Sequence, residues 1–139
     1  MVEVRQAEAN LKDAGHIMEL VRELAEFEKM PDQVKINEEI MAKDLARDAV
    51  KVKLAFVDGK LAGMVLYFYI YSSWEGQGIH MEDLYIKQEF RRQGVAKILV
   101  KELAKEAHEK KMPRINWTCL NWNQNARDFY HKDSVIVPT

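Results

Sequence analysis

At 139 residues the chain has room for one domain with a real core and is too short for two. Hydrophobic residues make up 47% and the formal charge is −1, so the composition provides neither the basic face of a nucleic-acid binder nor a membrane-binding surface. A lone cysteine, Cys119, excludes an internal disulfide, and no N-terminal apolar signal or run of about 18 apolar residues occurs. The expectation is a single domain over residues 1–139 in a reducing, cytoplasmic setting, with Cys119 in the core.

Val2, Glu3, Val4 and Arg5 alternate in polarity and read as an edge strand. Asp13 is placed as the cap of a helix reaching about Met30 and closed by Pro31. Within it Ile17, Leu20, Val21 and Leu24 recur at three- and four-residue steps; the next step along that column lands on Glu28, with Phe27 beside it. Asn37-Glu38-Glu39 opens a second helix to about Asp48, with early acids that suit the helix dipole. Residues 51–57 and 61–71 are β-rich runs joined by Asp58-Gly59-Lys60, a strong antiparallel hairpin signal. Tyr67-Phe68-Tyr69-Ile70-Tyr71 forms an aromatic stripe of the kind that packs along a strand, with one face free to line a groove. Residues 72–78 then make a turn carrying Trp74 and Glu75, and residues 79–86 the next strand. Strict alternation puts Glu82 and Asp83 on opposite faces and aligns Glu82 with Leu84 and Ile86, near the core or a cleft. A carboxylate in that position needs a reason.

Val95, Leu99, Leu103 and Ala107 lie on one side of a helix that ends in Lys110-Lys111 and is stopped by Pro113. Residues 115–120 make another strand, and Asn121-Trp122-Asn123 leads into a short helix on which Ala126, Phe129 and Tyr130 share a face. Strand, helix and strand form a βαβ unit, so the fold class is mixed α+β with a parallel pair in the middle of the sheet.

Between the last-mentioned long strand and its helix stands Arg91-Arg92-Gln93-Gly94-Val95-Ala96. Two guanidiniums before a glycine turn that opens a helix describe a site for a pyrophosphate, because the free amides of a first helical turn and the positive end of its dipole both favour an anion. Acidic side chains on the preceding strand put proton-handling groups next to that cradle. Transfer of an acyl group from a thioester to an amine uses such a set: the ammonium must lose a proton before attack and the leaving thiolate must gain one. Glu82, directly or through water, is the candidate base and Tyr130 the candidate acid. His16, His80, His108 and His131 show no metal-ligand spacing with Cys119, and neither G-x-S-x-G nor a P-loop motif is present.

Arg91-x-x-Gly94-x-Ala96 resembles the acetyl-coenzyme A pyrophosphate motif of the GNAT acetyltransferases. The run from Arg22 to Lys29, the segment from Tyr67 to Trp74, Glu82-Asp83-Leu84-Tyr85-Ile86, and Trp122-Asn123-Gln124 with Phe129-Tyr130 are similar to the diamine acetyltransferases, in their thialysine N-epsilon and spermidine/spermine N1 branches. The likeness covers residues 2–130, and the wording of residues 22–29 and 71–74 leans to the thialysine branch. The resemblance implies a bent mixed sheet flanked by helices, acetyl-CoA wedged into its splayed centre, no metal, and a homodimer acting on a small cationic amine. It implies that Leu84, Tyr85 and Ile86 contact the acetyl and pantetheine groups through their backbone. Arg91, Arg92, Gln93, Gly94, Val95, Ala96 and Lys97 would hold the pyrophosphate, and Asn123, Gln124, Asn125 and Ala126 would line the cofactor's other side. Tyr130 would be the general acid, and Phe27, Glu28 and Glu82 would meet the amine. After Phe129-Tyr130 the family pattern has a glycine turn and about two more strands, which residues 131–139 do not match. The expectation is therefore a C-terminally short member, in which Val135-Ile136-Val137 pairs with the edge beside residues 115–120, and the alternative to an active enzyme is a cofactor-binding or dimerising module without turnover.

Overall fold

The computed structural model describes residues 1–117. Five described strands form one sheet in chain order: β1 (Val2–Gln6), β2 (Lys51–Val57), β3 (Lys60–Ser72), β4 (Gly76–Ile86) and β5 (Ile115–Trp117). The first four are antiparallel to their neighbours, and β4 pairs with β5 in parallel. Helix α1 (Leu11–Phe27) and the shorter α2 (Glu38–Ala46) follow β1, and α3 (Val95–Glu109) crosses from β4 to β5. The βαβ unit expected from the sequence is thus β4-α3-β5, and β5 is the last described strand of the sheet.

The sheet is covered on both faces. One apolar cluster joins Val65, Tyr67, Ile79, Met81 and Ile86 to Val95, Leu99, Leu103 and Ala107 of α3. The other joins Leu54, Met64, Leu66 and Tyr85 to Ile17, Met18 and Leu20 of α1 and to Met41 and Leu45 of α2. The periodicity of both long helices therefore marks the buried stripes correctly; burying a leucine such as Leu99 or Leu103 contributes about 2 kcal/mol each.

Several local assignments change. The cap of α1 is Asn10, whose side chain accepts from the Asp13 amide at 2.8 Å, and the helix ends at Phe27. Asp13 instead turns inward, 2% exposed, and accepts two 2.7 Å hydrogen bonds from Arg5 of β1 and one from the Glu8 amide. The Arg5 hydrogen bonds hold its carboxyl down at about 2, against the opposing effect of burial. Asn37 caps α2 as expected, accepting from the Ile40 amide. The turn between β3 and β4 is shorter than expected, since Ser72 already pairs with Gly76. In the aromatic stripe, the hydroxyls of Tyr67 and Tyr69 both donate to Glu106 of α3, which Lys53 also bridges at 2.8 Å. Phe68 takes the opposite face and stands across from His80.

The largest departure is in β4. Leu66 pairs with Asp83 and Tyr67 with Met81, so Glu82 is an extra residue, a β-bulge that resets the alternation. Ile79 and Met81 before it, and Leu84 and Ile86 after it, all pack on the α3 side. Glu82 consequently reaches His80, on the other side, and Asp83 aligns with Tyr85 toward α1. The expectation that Glu82 shares the Leu84 face, opposite Asp83, is overturned: both acids project toward α1, Glu82 with its side chain 49% exposed.

One close approach shapes the same region. A Cβ built on Gly63 of β3 would lie 2.6 Å from the Tyr85 carbonyl oxygen and 2.6 Å from the Ile86 side chain. Gly63→Val is expected to cost about 2 kcal/mol or more of stability, because the strands must separate where β4 carries its buried pair. A denaturant midpoint equal to wild type would show that the strands can part freely there.

Candidate active site

Past Ile86 the chain makes a 3-10 turn, Gln88–Phe90, and then enters the arginine loop. Gly94 is the residue before α3, at φ 80°, where an L side chain is strained, and a Cβ there would meet nothing within 4 Å. The first hydrogen bond of the helix runs from the Ile98 amide to the Gly94 carbonyl, so the amides of Val95 and Ala96 lie ahead of the ladder. Open space over a glycine, leading amides and the helix dipole together suit a phosphate. The side chain of Val95 is buried in the α3 core, so only its backbone faces this turn, whereas Arg92, Gln93 and Lys97 are exposed.

The two arginines divide the work. Arg91 donates from Nε to the Ile86 carbonyl at 3.0 Å, and its guanidinium lies 4.9 Å from the ring centroid of Phe27 and 5.7 Å from that of Tyr85. It joins the end of β4 to the end of α1 by cation–π contact. Arg92, with φ 64°, is held in a left-handed turn; its side chain is exposed, as is that of Arg91, so it is the contacts of Arg91 that set the two apart. Of the two, Arg92 suits a phosphate contact and Arg91 suits fixing the loop.

The same clamp brings the end of α1 over β4. Tyr85 donates to Glu23 at 3.1 Å, and Lys87 pairs with both Glu19 and Glu23. Glu28, at the C-terminal boundary of α1, is half-buried, and burial raises its carboxyl above the ordinary range. It acts electrostatically on Asp83, as Glu82 does; burial first, then these two charges, pushes Asp83 up to about 7. Three carboxyls from two elements thus converge next to Tyr85, and an ammonium placed among them would relieve their mutual repulsion.

The expected residues Phe27, Glu28, Glu82 and Tyr85 are therefore brought together, with the turn from Arg91 to Gly94 adjoining them. Leu84 is half-buried against the α3 cluster, and Tyr85 and Ile86 are buried. Asn123, Gln124, Asn125, Ala126, Tyr130, Cys119 and the tail from Val135 to Val137 lie outside the described residues. Sequence reasoning missed Asp83 as a member of the site; its signal was the adjacency to Glu82, which alternation misread. Among the described residues no group of three or more His, Cys, Asp or Glu side chains is placed to hold a metal, and no helix is long and apolar enough to cross a membrane.

Residues 16–134 match the model of the Acetyltransferase (GNAT) family. The chain belongs to the GNAT acetyltransferase family. It is an acetyltransferase, and among named relatives it is 45% identical to a thialysine N-epsilon-acetyltransferase of Caenorhabditis elegans over 117 residues, 84% of this chain and 73% of that protein. It is 36% identical to the thialysine N-epsilon-acetyltransferase of Sus scrofa, over 94% of this chain and 82% of the relative. Solved structures share the fold at low identity. An aminoglycoside acetyltransferase from an uncultured soil metagenomic sample superposes with a TM-score of 0.82 at 19% identity, over 96% of this chain and 87% of that one. A protein from Clostridium acetobutylicum described as a predicted acetyltransferase, solved with acetyl-CoA, gives 0.76 at 17% identity, over 96% and 89%.

Proposed function

We propose that this acetyltransferase moves the acetyl group of acetyl-CoA to a primary amine of a small cationic substrate, with thialysine or a related amino acid first and spermidine second. The observation that carries the reading is the convergence of Glu28, Glu82 and Asp83 beside the turn that opens α3. The two thialysine-named relatives support the order of substrates.

Acetyl-CoA supplies the activated acyl group as a thioester. Arg92, Gly94 and the amides of Val95 and Ala96 suit its pyrophosphate, and the backbone of Leu84, Tyr85 and Ile86 would run along the pantetheine. The carboxyls of Glu28 and Asp83 attract and orient the ammonium. Glu82, half exposed on its bulge, takes a proton from the amine directly or through water, and Tyr130 gives one to the leaving sulfur. The reading includes a homodimer and excludes nucleic acid and membrane as partners.

Arg92→Ala is expected to raise KM for acetyl-CoA about tenfold while leaving a phosphate-free pantetheine thioester nearly unaffected, since only a phosphate contact is lost. Raised salt should mimic the substitution in the wild type. Equal losses on both thioesters would contradict the cradle. The substrate class is tested by offering thialysine and spermidine in competition and following free thiol. Thialysine is expected to have the larger kcat/KM, and a clear preference for spermidine would place the enzyme with the polyamine branch instead.

A further inference from the structure

Glu82 owes its place to the bulge, and a half-exposed carboxylate there has several rotamers open to it. His80 stands within reach of that carboxylate. Its Nε2 stands 3.3 Å from Glu82 Oε1, and its side chain is only 22% exposed. The ring is itself fixed by Phe68, the residue opposite it on β3, at 5.0 Å between centroids and 30° between planes. Phe68, His80 and Glu82 form a short chain of contacts on the α1 side of the sheet, running from a packed aromatic to the carboxylate. On the other flank of β4, His80 is in register with Asn116 of β5.

We propose that His80 is a positioning residue: it occupies one oxygen of Glu82 and thereby directs the other toward the amine held by Glu28 and Asp83. The inference rests on the reading of Glu82 as the group that takes the amine's proton. Proton bookkeeping makes the orientation consequential. An ammonium that becomes an amide gives up two protons; one ends on the thiol and the other leaves through the base, so a base pointing elsewhere stalls each turnover.

The test is steady-state kinetics on the full chain with acetyl-CoA and thialysine, for the wild type, His80→Phe, His80→Gln, Glu82→Gln and the His80→Phe/Glu82→Gln pair. Phenylalanine keeps an aromatic ring against Phe68 and removes both ring nitrogens, including the Nε2 that faces Glu82. The expected result is a kcat about tenfold lower in His80→Phe with KM for acetyl-CoA and Tm unchanged, and recovery of most of that loss in His80→Gln, whose amide still donates. In the Glu82→Gln background His80→Phe should cost nothing further. An unchanged kcat in His80→Phe, or an equal loss in both backgrounds, overturns the inference while leaving the function of the site intact. A fully active Glu82→Gln, or a wild type that releases no thiol, overturns the reading of the site and the inference with it. If His80→Phe lowers Tm, His80→Ala with added imidazole decides: a restored rate supports the nitrogen's role, and an unrestored one refutes it.

Discussion

Tyr130→Phe is expected to lower kcat by about one to three orders of magnitude while leaving acetyl-CoA affinity nearly unchanged, because the substitution removes a phenolic proton and little else. The described residues supply a reason for looking to Tyr130. Four other tyrosines are accounted for: Tyr67 and Tyr69 donate hydrogen bonds to Glu106 on the α3 side, Tyr85 donates to Glu23, and Tyr71 is exposed on the arm of the β3-β4 hairpin. Burial and the neighbouring Glu106 push the first two hydroxyls up, and burial and Glu23 push the third up, which makes all three poorer acids. Among the tyrosines, that leaves Tyr130 as the candidate to protonate a leaving thiolate. Pre-steady-state measurement of thiol release, with acetyl-CoA binding measured separately, checks the role. A kcat equal to wild type would remove Tyr130 from the chemistry.

What the sequence shows and what it hides follow from the range of the forces involved. The stripes of α1 and α3, the Asn37 cap and the Asp58-Gly59 hairpin are settled by neighbours within about four residues, and each is where the pattern puts it. The glycine before α3 was legible for the same reason. Asp13 was misassigned as a cap because its partner, Arg5, comes from another element, and a buried ion pair between a strand and a helix leaves no periodic trace. The bulge at Glu82 was invisible to alternation, since one extra residue moves every later side chain to the other face without changing composition. The bulge leaves Glu82 exposed and puts its half-buried neighbour Asp83 on the same side of the sheet. The clamp by Arg91 also escaped notice, because an arginine before a phosphate turn has two uses and only the packing of Phe27 and Tyr85 chooses between them.

Asp83→Asn is expected to make the protein more stable and a worse enzyme. Folded, the protein holds the Asp83 proton up to about pH 7, against the ordinary 3.8. The unfolded chain releases that proton near pH 4. Folding then takes up a proton between those values, and the wild type loses stability as pH rises from about 4 to about 7. The full difference is on the order of 4 kcal/mol, since each pKa unit is worth about 1.4 kcal/mol. Asparagine cannot ionise, so the variant avoids this loss. Its Tm should match the wild type near pH 4 and exceed it by on the order of 10 °C at pH 8. Activity moves the other way. With one of three carboxyls gone, kcat/KM for a dicationic amine should fall at least about tenfold at pH 8, and by less for a monocationic one. In the wild type that same kcat/KM should climb toward pH 7 as the carboxyl ionises, and the climb should flatten in the variant. Binding of the amine should also release a proton near pH 6.5, detectable as a buffer-dependent heat, because a cation among Glu28, Glu82 and Asp83 favours the ionised carboxyl. Parallel Tm-against-pH curves for the two proteins would show that the proton resides elsewhere. If they diverge as expected, the instability at Asp83 is the cost of a site built to receive a cation, released when the substrate's own charge arrives.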